Sequence, residues 1–228
     1  MPTVINNINY GISAWYPTLA DHTFPTTFVK LKESDIELIA NGITQSNEVD
    51  SLINRLGNAQ SAFHGATFVL SDTVAPTDTP RFIDKKGAVH SPQSAWNNLV
   101  LSAKVRAAAK RKDFEFICIR PFRNMTYLRE FRLFIYGKTL KLMSQTQLDR
   151  PYKRLTLRKE FWWGMANEFI DDIAWLLPDN NIVMDIYFTS KDEIMILDFN
   201  PWGNPTDPLL AKEWTLDWNI NYGLKLLE

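Results

Sequence analysis

The sequence predicts an α+β fold, and two features of its second half lead to that class. Two pairs of neighbouring strands are predicted there, and each pair is joined by a short turn, which is the pattern of an antiparallel hairpin. Amphipathic helices precede and separate the hairpins, so helices are expected to cover one face of an antiparallel sheet. With 228 residues, of which 45% are apolar, the chain is long enough to bury a sizeable core.

The first half of the chain is predicted to alternate short strands with helices. One helix begins at the capping-box sequence from Ser34 to Glu37 and ends at Gly42. The apolar spacing i, i+3, i+4, i+7 that begins at Val49 predicts a second helix. The opening segment, which carries Pro17, is predicted to be irregular. The other predicted elements are strands at 26–31 and 66–70, a proline-bearing loop at 71–80 and a basic helix at 94–112.

The second half is predicted to be rich in strands. A long amphipathic helix over 158–177 interrupts them and ends at Pro178. Its aromatic stripe is interpreted as core and not as a cofactor-binding surface. The predicted strands are 114–120, 130–136, 139–144, 181–188 and 193–199, and the last four form the two hairpins.

Composition and charge argue against several classes of protein. The formal net charge of −1 argues against a general nucleic-acid binder or membrane-surface binder. Cys118 is the one cysteine, so no intrachain disulfide forms and a reducing, cytoplasmic compartment is expected. The sequence has no zinc-ligand spacing, Ser-His-Asp arrangement, P-loop or GxGxxG fingerprint. It has no apolar stretch of membrane-spanning length, and its first residues have no signal-peptide pattern.

The most informative stretch is the last predicted strand of the second hairpin and the turn after it. An apolar run ends in Asp198-Phe199-Asn200, and proline and glycine follow. Because strand side chains alternate between faces, Asp198 and Asn200 point the same way. Such a pair of oxygen-bearing side chains suits Mg²⁺, which takes one or two carboxylates and keeps water and phosphate as its other ligands. The alternative is an Asx turn that closes the strand.

Further charged residues lie within or at the ends of predicted strands. The second hairpin can bring Asp185 beside Asp198, and two facing carboxylates repel each other unless a cation or an arginine lies between them. Arg132, which shares a strand face with Glu130, can complement these acids or bind a phosphate. A structural salt bridge is the alternative to phosphate binding. Arg120 ends a strand at a point where it can border a nucleotide pocket.

Taken in order, these motifs resemble the cell division cycle protein 123 family, which belongs to the ATP-grasp superfamily. The resemblance runs from about Trp15 to Trp214. Its most specific blocks are Glu130-Phe131-Arg132 and Asp198-Phe199-Asn200-Pro201, in the order found in the family. Further similar segments are 65–70, 75–78, 119–122, 144–145, 185–187 and 206–210.

The resemblance implies an ATP-grasp-like fold, in which two α+β lobes with antiparallel sheets enclose ATP and Mg²⁺. We expect the first lobe, with its phosphate-side loop, at 1–112 and the second, with the metal-binding strand, at 113–228. By motif position, Asp198 and Asn200 would bind the metal, and Asp185 would be a further ligand or its support. The remaining implied nucleotide contacts are Arg132 at the phosphates and Arg120, Pro121 and Phe122 beside the adenine.

Two positions near the implied phosphates depart from the family. Many members carry a lysine where this chain has Leu70, and Thr77 replaces a basic residue that often follows the loop proline. The loss of two cations near the phosphates is expected to weaken ATP binding or to change which nucleotide is held. Lys85, Lys86 and Lys104 are candidates for compensation.

The resemblance also implies a partner. In eukaryotes the family assembles translation initiation factor 2 in an ATP-dependent way by binding its gamma subunit, so a protein partner is expected. That role predicts an exposed apolar patch, for which Trp15, Trp214 and Trp218 are candidates, with core packing as the alternative. The wider superfamily instead joins carboxylates to amines through acyl phosphates. A ligase is therefore the second hypothesis, with Arg150, Lys153, Arg154 and Arg158 as a candidate carboxylate pocket, and a nucleotide-binding remnant without turnover is the third.

Overall fold

The computed structural model describes residues 10–228, which form two compact units. Unit 1 contains residues 10–17 and 24–124, and unit 2 contains residues 18–23 and 125–228. None of the helices in the described part of the chain combines the length and apolar character needed to cross a membrane.

Unit 1 is built on a three-stranded antiparallel sheet with the order β1-β3-β2. Val29, Val69, Ile117 and Ile119 lie on one face of this sheet and pack into a single core with the helices. The strands are β1 (Thr27–Lys30), β2 (Thr67–Ser71) and β3 (Phe116–Pro121). The helices are α1 (Ile12–Leu19), which runs on into unit 2, α2 (Glu33–Asn41), α3 (Asn47–Gln60), α4 (Pro80–Lys85), α5 (Pro92–Leu101) and α6 (Ala103–Arg111).

The predicted end of the first of these helices is observed, but its predicted start at Ser34 is wrong, because α2 begins at Glu33 and Asp35 accepts the Lys32 N–H. Gly42 follows α2 with a φ of +67°, the left-handed conformation that glycine adopts at little cost. Ser46 caps α3, because its hydroxyl accepts the Val49 N–H.

Two sequence predictions in unit 1 are wrong. The opening segment, of which residues 1–9 lie outside the described part, contains a helix over Ile12–Leu19. Ile12, Trp15 and Leu19 recur at helical spacing and are all buried, and this burial outweighs the unfavourable effect of the proline inside the helix. The basic helix over 94–112 is two helices, since Ser102 has extended backbone angles (φ −73°, ψ 120°) and its hydroxyl caps α6 by accepting the Val105 N–H.

The second part of unit 1 extends to Asn124. The reason is β3, which pairs with both β1 and β2 and so belongs to the sheet of unit 1.

Unit 2 contains a five-stranded sheet with the order β7-β6-β4-β5-β8. Its strands are β4 (Glu130–Tyr136), β5 (Thr139–Gln145), β6 (Ile182–Phe188), β7 (Ile194–Pro201) and β8 (Gly223–Lys225). The two predicted hairpins are present and pair with each other through β4 and β6. The sheet is mixed and not purely antiparallel, because β8, which the sequence analysis missed, lies parallel to β5.

Two helices precede the second hairpin of unit 2. They are α7 (Lys153–Thr156) and α8 (Lys159–Ile173), and α8 continues as a 3₁₀ turn over Ala174–Leu176, so the α-helix ends earlier than predicted. The buried side of α8 consists of Trp162, Ala166, Ile170 and Ile173. A second apolar cluster joins Phe134 and Trp218, whose rings stack at 5.7 Å, to Trp202 and Trp214.

Candidate functional site

The second hairpin brings the predicted carboxylates together. In the β6–β7 register, Asp185 pairs with Asp198 and Val183 pairs with Asn200, so the three polar side chains lie on adjacent strands. The register shifts next to the Asp185 pair, which is the position of a β-bulge. Bulges of this kind re-aim side chains and are common beside functional sites. Direct juxtaposition of two carboxylates is unfavourable without a neighbouring cation.

Arg132 on β4 is that cation. Its Nε and Nη2 donate to Oδ1 and Oδ2 of Asp185, each at 2.8 Å, and its Nη1 donates to the Asp207 carbonyl oxygen at 2.9 Å. The side chains of Arg132 and Asp185 are only 15% and 20% exposed. This two-pronged geometry is the strongest form of an arginine–carboxylate contact. The salt bridge considered in the sequence analysis is therefore present, and a phosphate contact by Arg132 stays a prediction.

Asn200 completes the surroundings of Asp185. Its Nδ2 donates to Asp185 Oδ2 at 3.2 Å, which leaves the amide oxygen as the atom that can serve a cation. Asp198 Oδ1 accepts the Phe199 N–H at 2.9 Å. Asp185 already accepts hydrogen bonds from Arg132 and Asn200. The geometry therefore favours Asp185 as a residue that supports a metal site, and disfavours it as a direct metal ligand.

The cluster around Arg132 carries an excess of negative charge. Burial alone would lower the pKa of Arg132, but Asp185, Asp207 and Asp198 together raise it. Burial, followed by repulsion from Asp185, raises the pKa of Glu130 to about 7. Sequence reasoning did not assign Asp207 to the site, although it noted the resemblance of 206–210. Three carboxyl groups thus act on one guanidinium, and Glu130 adds a fourth beside Asp185, which is an environment that attracts a cation.

The residues present suit Mg²⁺ better than a metal ion whose ligands are all protein side chains. Across residues 10–228, no three His, Cys, Asp or Glu side chains converge as a metal site. Mg²⁺ suits such a place, because it binds through one or two carboxylates and completes its shell with water and phosphate oxygens. Asp198 and Asn200 are the oxygen donors that would hold it.

Two of the predicted nucleotide residues of unit 1, Leu70 and Arg120, share one face of its sheet. Leu70 pairs with Cys118 and Phe68 pairs with Arg120. Since cross-strand partners share a face, Leu70 and Arg120 both lie on the face opposite Val69. Arg120 is therefore a buried cation on the same side of the sheet as Leu70, the position where the resemblance leads us to expect a lysine.

Local hydrogen bonds fix the end of β3. The Nε of Arg120 donates to Thr26 Oγ1 at 3.1 Å, and the Phe122 N–H donates to the Ala66 carbonyl oxygen at 2.9 Å. Pro121 pairs with Thr67 at the last position of the β2–β3 ladder. The assignment of these residues to an adenine site stays a prediction.

The basic candidates near these positions have protein partners. Lys104 Nζ donates to Thr77 Oγ1 at 2.9 Å, and Lys86 Nζ donates to Asn124 Oδ1 at 2.8 Å. In unit 2, Arg158 forms a two-pronged contact with Asp192, at 3.1 and 2.8 Å. Arg158 therefore has a structural role, and the candidate carboxylate pocket of a ligase is reduced to three exposed side chains.

A protein-family model described as D123 matches residues 89–217, which is more than half of the chain. The matched range contains β4 to β7 and all the polar residues of the cluster around Arg132.

Similarity to individual proteins supports the match to this family. A translation initiation factor eIF2 assembly protein of Xenopus tropicalis is 33% identical over 95 residues, which cover 40% of this chain and 28% of that protein. A CDC123-like protein of Acanthamoeba polyphaga mimivirus is 23% identical over 93% of this chain and 70% of its own length. The Xenopus match thus spans little more than a quarter of the assembly protein.

A solved structure shows the same fold. Cdc123 from Schizosaccharomyces pombe superposes with a TM-score of 0.82 at 18% identity, covering 100% of this chain and 99% of that chain. The α+β fold class expected from the sequence is confirmed by this match, and the ATP-grasp-like character implied by the resemblance stays a prediction.

Proposed function

The chain belongs to the D123 family, and from that premise we propose that it binds ATP and Mg²⁺ and assists the assembly of a protein complex. The observation that carries the proposal is the position of the cluster around Arg132 inside the matched range. By analogy with its relatives, the partner is a translation initiation factor of the eIF2 type, and the place of action is the cytoplasm. Because fold alone does not define function, the partner needs its own test.

In this proposal the cluster of unit 2 holds the metal and the phosphates. Asp198 and Asn200 bind Mg²⁺, and Asp185 holds both Arg132 and the Asn200 amide in place. Bound Mg²⁺ would neutralise phosphate charge, which is the chemistry that the metal supplies. The excess of carboxyl groups predicts that an anionic nucleotide binds here only together with the metal.

Arg120 is proposed to replace the lysine that relatives carry at position 70. Both positions lie on one face of the unit 1 sheet, and a guanidinium is a permanent cation with several donors. Leu70 then serves as an apolar contact beside it.

The metal assignment is tested by thermal unfolding with and without Mg-ATP. A ligand that binds only the native state stabilises it, by about 2.7 kcal/mol at a hundredfold excess over its dissociation constant. Asp198→Asn retains the acceptor for the Phe199 N–H and removes the charge, so it should fold normally and lose the Mg-ATP shift. Asp21→Asn, at an exposed position of unit 2, is the control and should keep the shift. An unchanged shift in Asp198→Asn would remove Asp198 from the metal site.

The partner assignment is tested separately with the purified gamma subunit of translation initiation factor 2. Binding that strengthens when Mg-ATP is added supports an assembly role. The absence of binding in both conditions, despite an intact Mg-ATP shift, would reject the partner and keep the nucleotide site. ADP release triggered by a small carboxylate would instead identify a ligase.

A further inference from the structure

The solvent face of α8 and the segments at its two ends carry large apolar side chains, and of these Phe161 is partly covered by the Arg158 guanidinium, 4.5 Å from its ring centre. Trp175 is 75% exposed, Leu157 is 85% exposed and Phe161 is 47% exposed. Phe161 lies on α8, Leu157 comes just before the helix, and Trp175 lies in the 3₁₀ turn that follows it. Single exposed apolar side chains are ordinary, but a tryptophan and two neighbours along one helix face indicate an interaction surface.

The two ends of this face have opposite charges. Lys153 and Arg154 are exposed on α7, the short helix before Leu157 and α8, and form the basic end; Lys159 and Glu160, which are also exposed at the start of α8, offset each other. Glu168, Asp171 and Asp172 are exposed before Trp175 and form the acidic end. Glu168, Asp171, Asp172 and Trp175 follow the i, i+3, i+4, i+7 spacing of a single helix face.

Between the two ends lies Gly164, which the monomer does not explain. A β-carbon added there would meet no atom within 4 Å, and Gly164 does not have a positive φ. Glycine within a helix costs roughly 0.5–1 kcal/mol relative to alanine. A residue without a side chain at the middle of an exposed face permits another backbone to approach closely, as small residues do where helices cross.

We propose that this α8 face, defined by the basic end, Gly164 and the acidic end, binds a second copy of the chain. In an antiparallel arrangement about a two-fold axis near Gly164, the basic end of each copy lies beside the acidic end of the other. The same patch then serves both copies, which is the requirement of a two-fold dimer. Trp175 of one copy reaches the cations of its partner, and a cation over the indole face is a favourable contact.

Charge complementarity selects this occupant. An acidic peptide would match the basic end alone, and a basic peptide would match the acidic end alone. A second antiparallel copy satisfies both ends and covers the exposed apolar side chains. The contact of one helix pair lies at the small end of specific interfaces, so the dimer is expected to be weak.

Sedimentation velocity of the full chain over a concentration series tests the proposal. The wild-type mass should rise from one chain toward two as concentration increases, and high salt should weaken this association. Gly164→Gln improves helix propensity and places a long side chain at the crossing, so it should keep the melting temperature and weaken association by at least about tenfold. Gly164→Ala is the small control, and it should be at least as stable as wild type and still associate. A wild-type protein that stays monomeric at all concentrations would overturn the proposal.

A charge exchange tests the antiparallel orientation. Lys153→Glu with Arg154→Glu makes both ends acidic, and Asp171→Lys with Asp172→Lys gives both ends positive groups. Each double variant should remain monomeric alone, whereas an equimolar mixture should associate, because each end again faces its opposite charge. Lys110→Glu, at an exposed position of α6, is the control and should associate like wild type. A mixture that stays monomeric, or double variants that associate alone, would reject this geometry.

Discussion

The sheets of the two units carry their buried arginines in different surroundings. In unit 1, the Nε of Arg120 donates to a threonine hydroxyl, and the helix-covered side of the sheet is apolar. In unit 2, Arg132 is clamped by Asp185 and faces further carboxyl groups. Unit 1 therefore depends mainly on packing and helix caps, while unit 2 contains a charge cluster that is costly unless each member is matched. The proposed metal site lies in this costly charge cluster of unit 2.

Loss of the central cation should give the largest effect. Arg132→Met leaves Asp185 buried beside Asp198 without its partner, so the free energy of unfolding should fall by about 3 kcal/mol. Arg158→Met breaks a similar two-pronged contact with Asp192, but the arginine side chain is 36% exposed and solvent screens the pair, so its loss should be clearly smaller. Chemical denaturation at neutral pH measures both values. Equal losses would mean that the cluster contributes no special stabilisation.

The pH dependence of unit 2 should give the next largest effect. Burial raises the pKa of Glu130 from 4.5 to about 7, so the folded protein binds this proton more tightly than the unfolded chain does. The contribution of Glu130 to the free energy of unfolding should therefore fall as pH rises from about 4.5 to 7, by about 2 kcal/mol.

Glu130→Gln should remove that fall and be more stable than wild type at neutral pH. The measurement is denaturation across this pH range, without nucleotide and with a chelator present. Glu213→Gln, at an exposed position, is the control and should follow the wild-type curve. Parallel curves for Glu130→Gln and wild type would contradict the prediction.

A helix cap in unit 1 should give the smallest effect. The Ser102 hydroxyl caps α6 and also donates to Asp78 Oδ1 at 2.5 Å, so Ser102→Ala should lower the free energy of unfolding by roughly 1–2 kcal/mol. Ser46→Ala, which removes only the cap of α3, should cost less, about 1 kcal/mol. Both are measured by thermal or chemical unfolding. If Ser102→Ala costs no more than Ser46→Ala, the contact with Asp78 contributes nothing measurable.

The sequence was most informative where local chemistry is strong. Gly42 marked the end of α2, and the alternation around Asp198 placed a polar pair at the end of β7. The two hairpins followed from short apolar runs separated by turns. Family resemblance added the fold class and the candidate residues. The match to the family model spans the same polar blocks.

Other features depended on contacts between distant residues. The first helix forms despite Pro17, because its apolar side chains are buried, and β8 exists because it pairs with β5. Ser102 divides a continuous helical pattern once its hydroxyl serves as a cap. Such effects depend on tertiary packing, which local propensity does not record.

The sequence by itself determined that an aspartate and an asparagine share one face at the end of a strand, since side-chain alternation is a property of the backbone. The tertiary structure decided that Asp185 is held by Arg132 and Asn200. It also decided that Arg120 lies on the same face as Leu70. Strand register and side-chain pairing arise from long-range contacts, so they were settled only when the sheets formed.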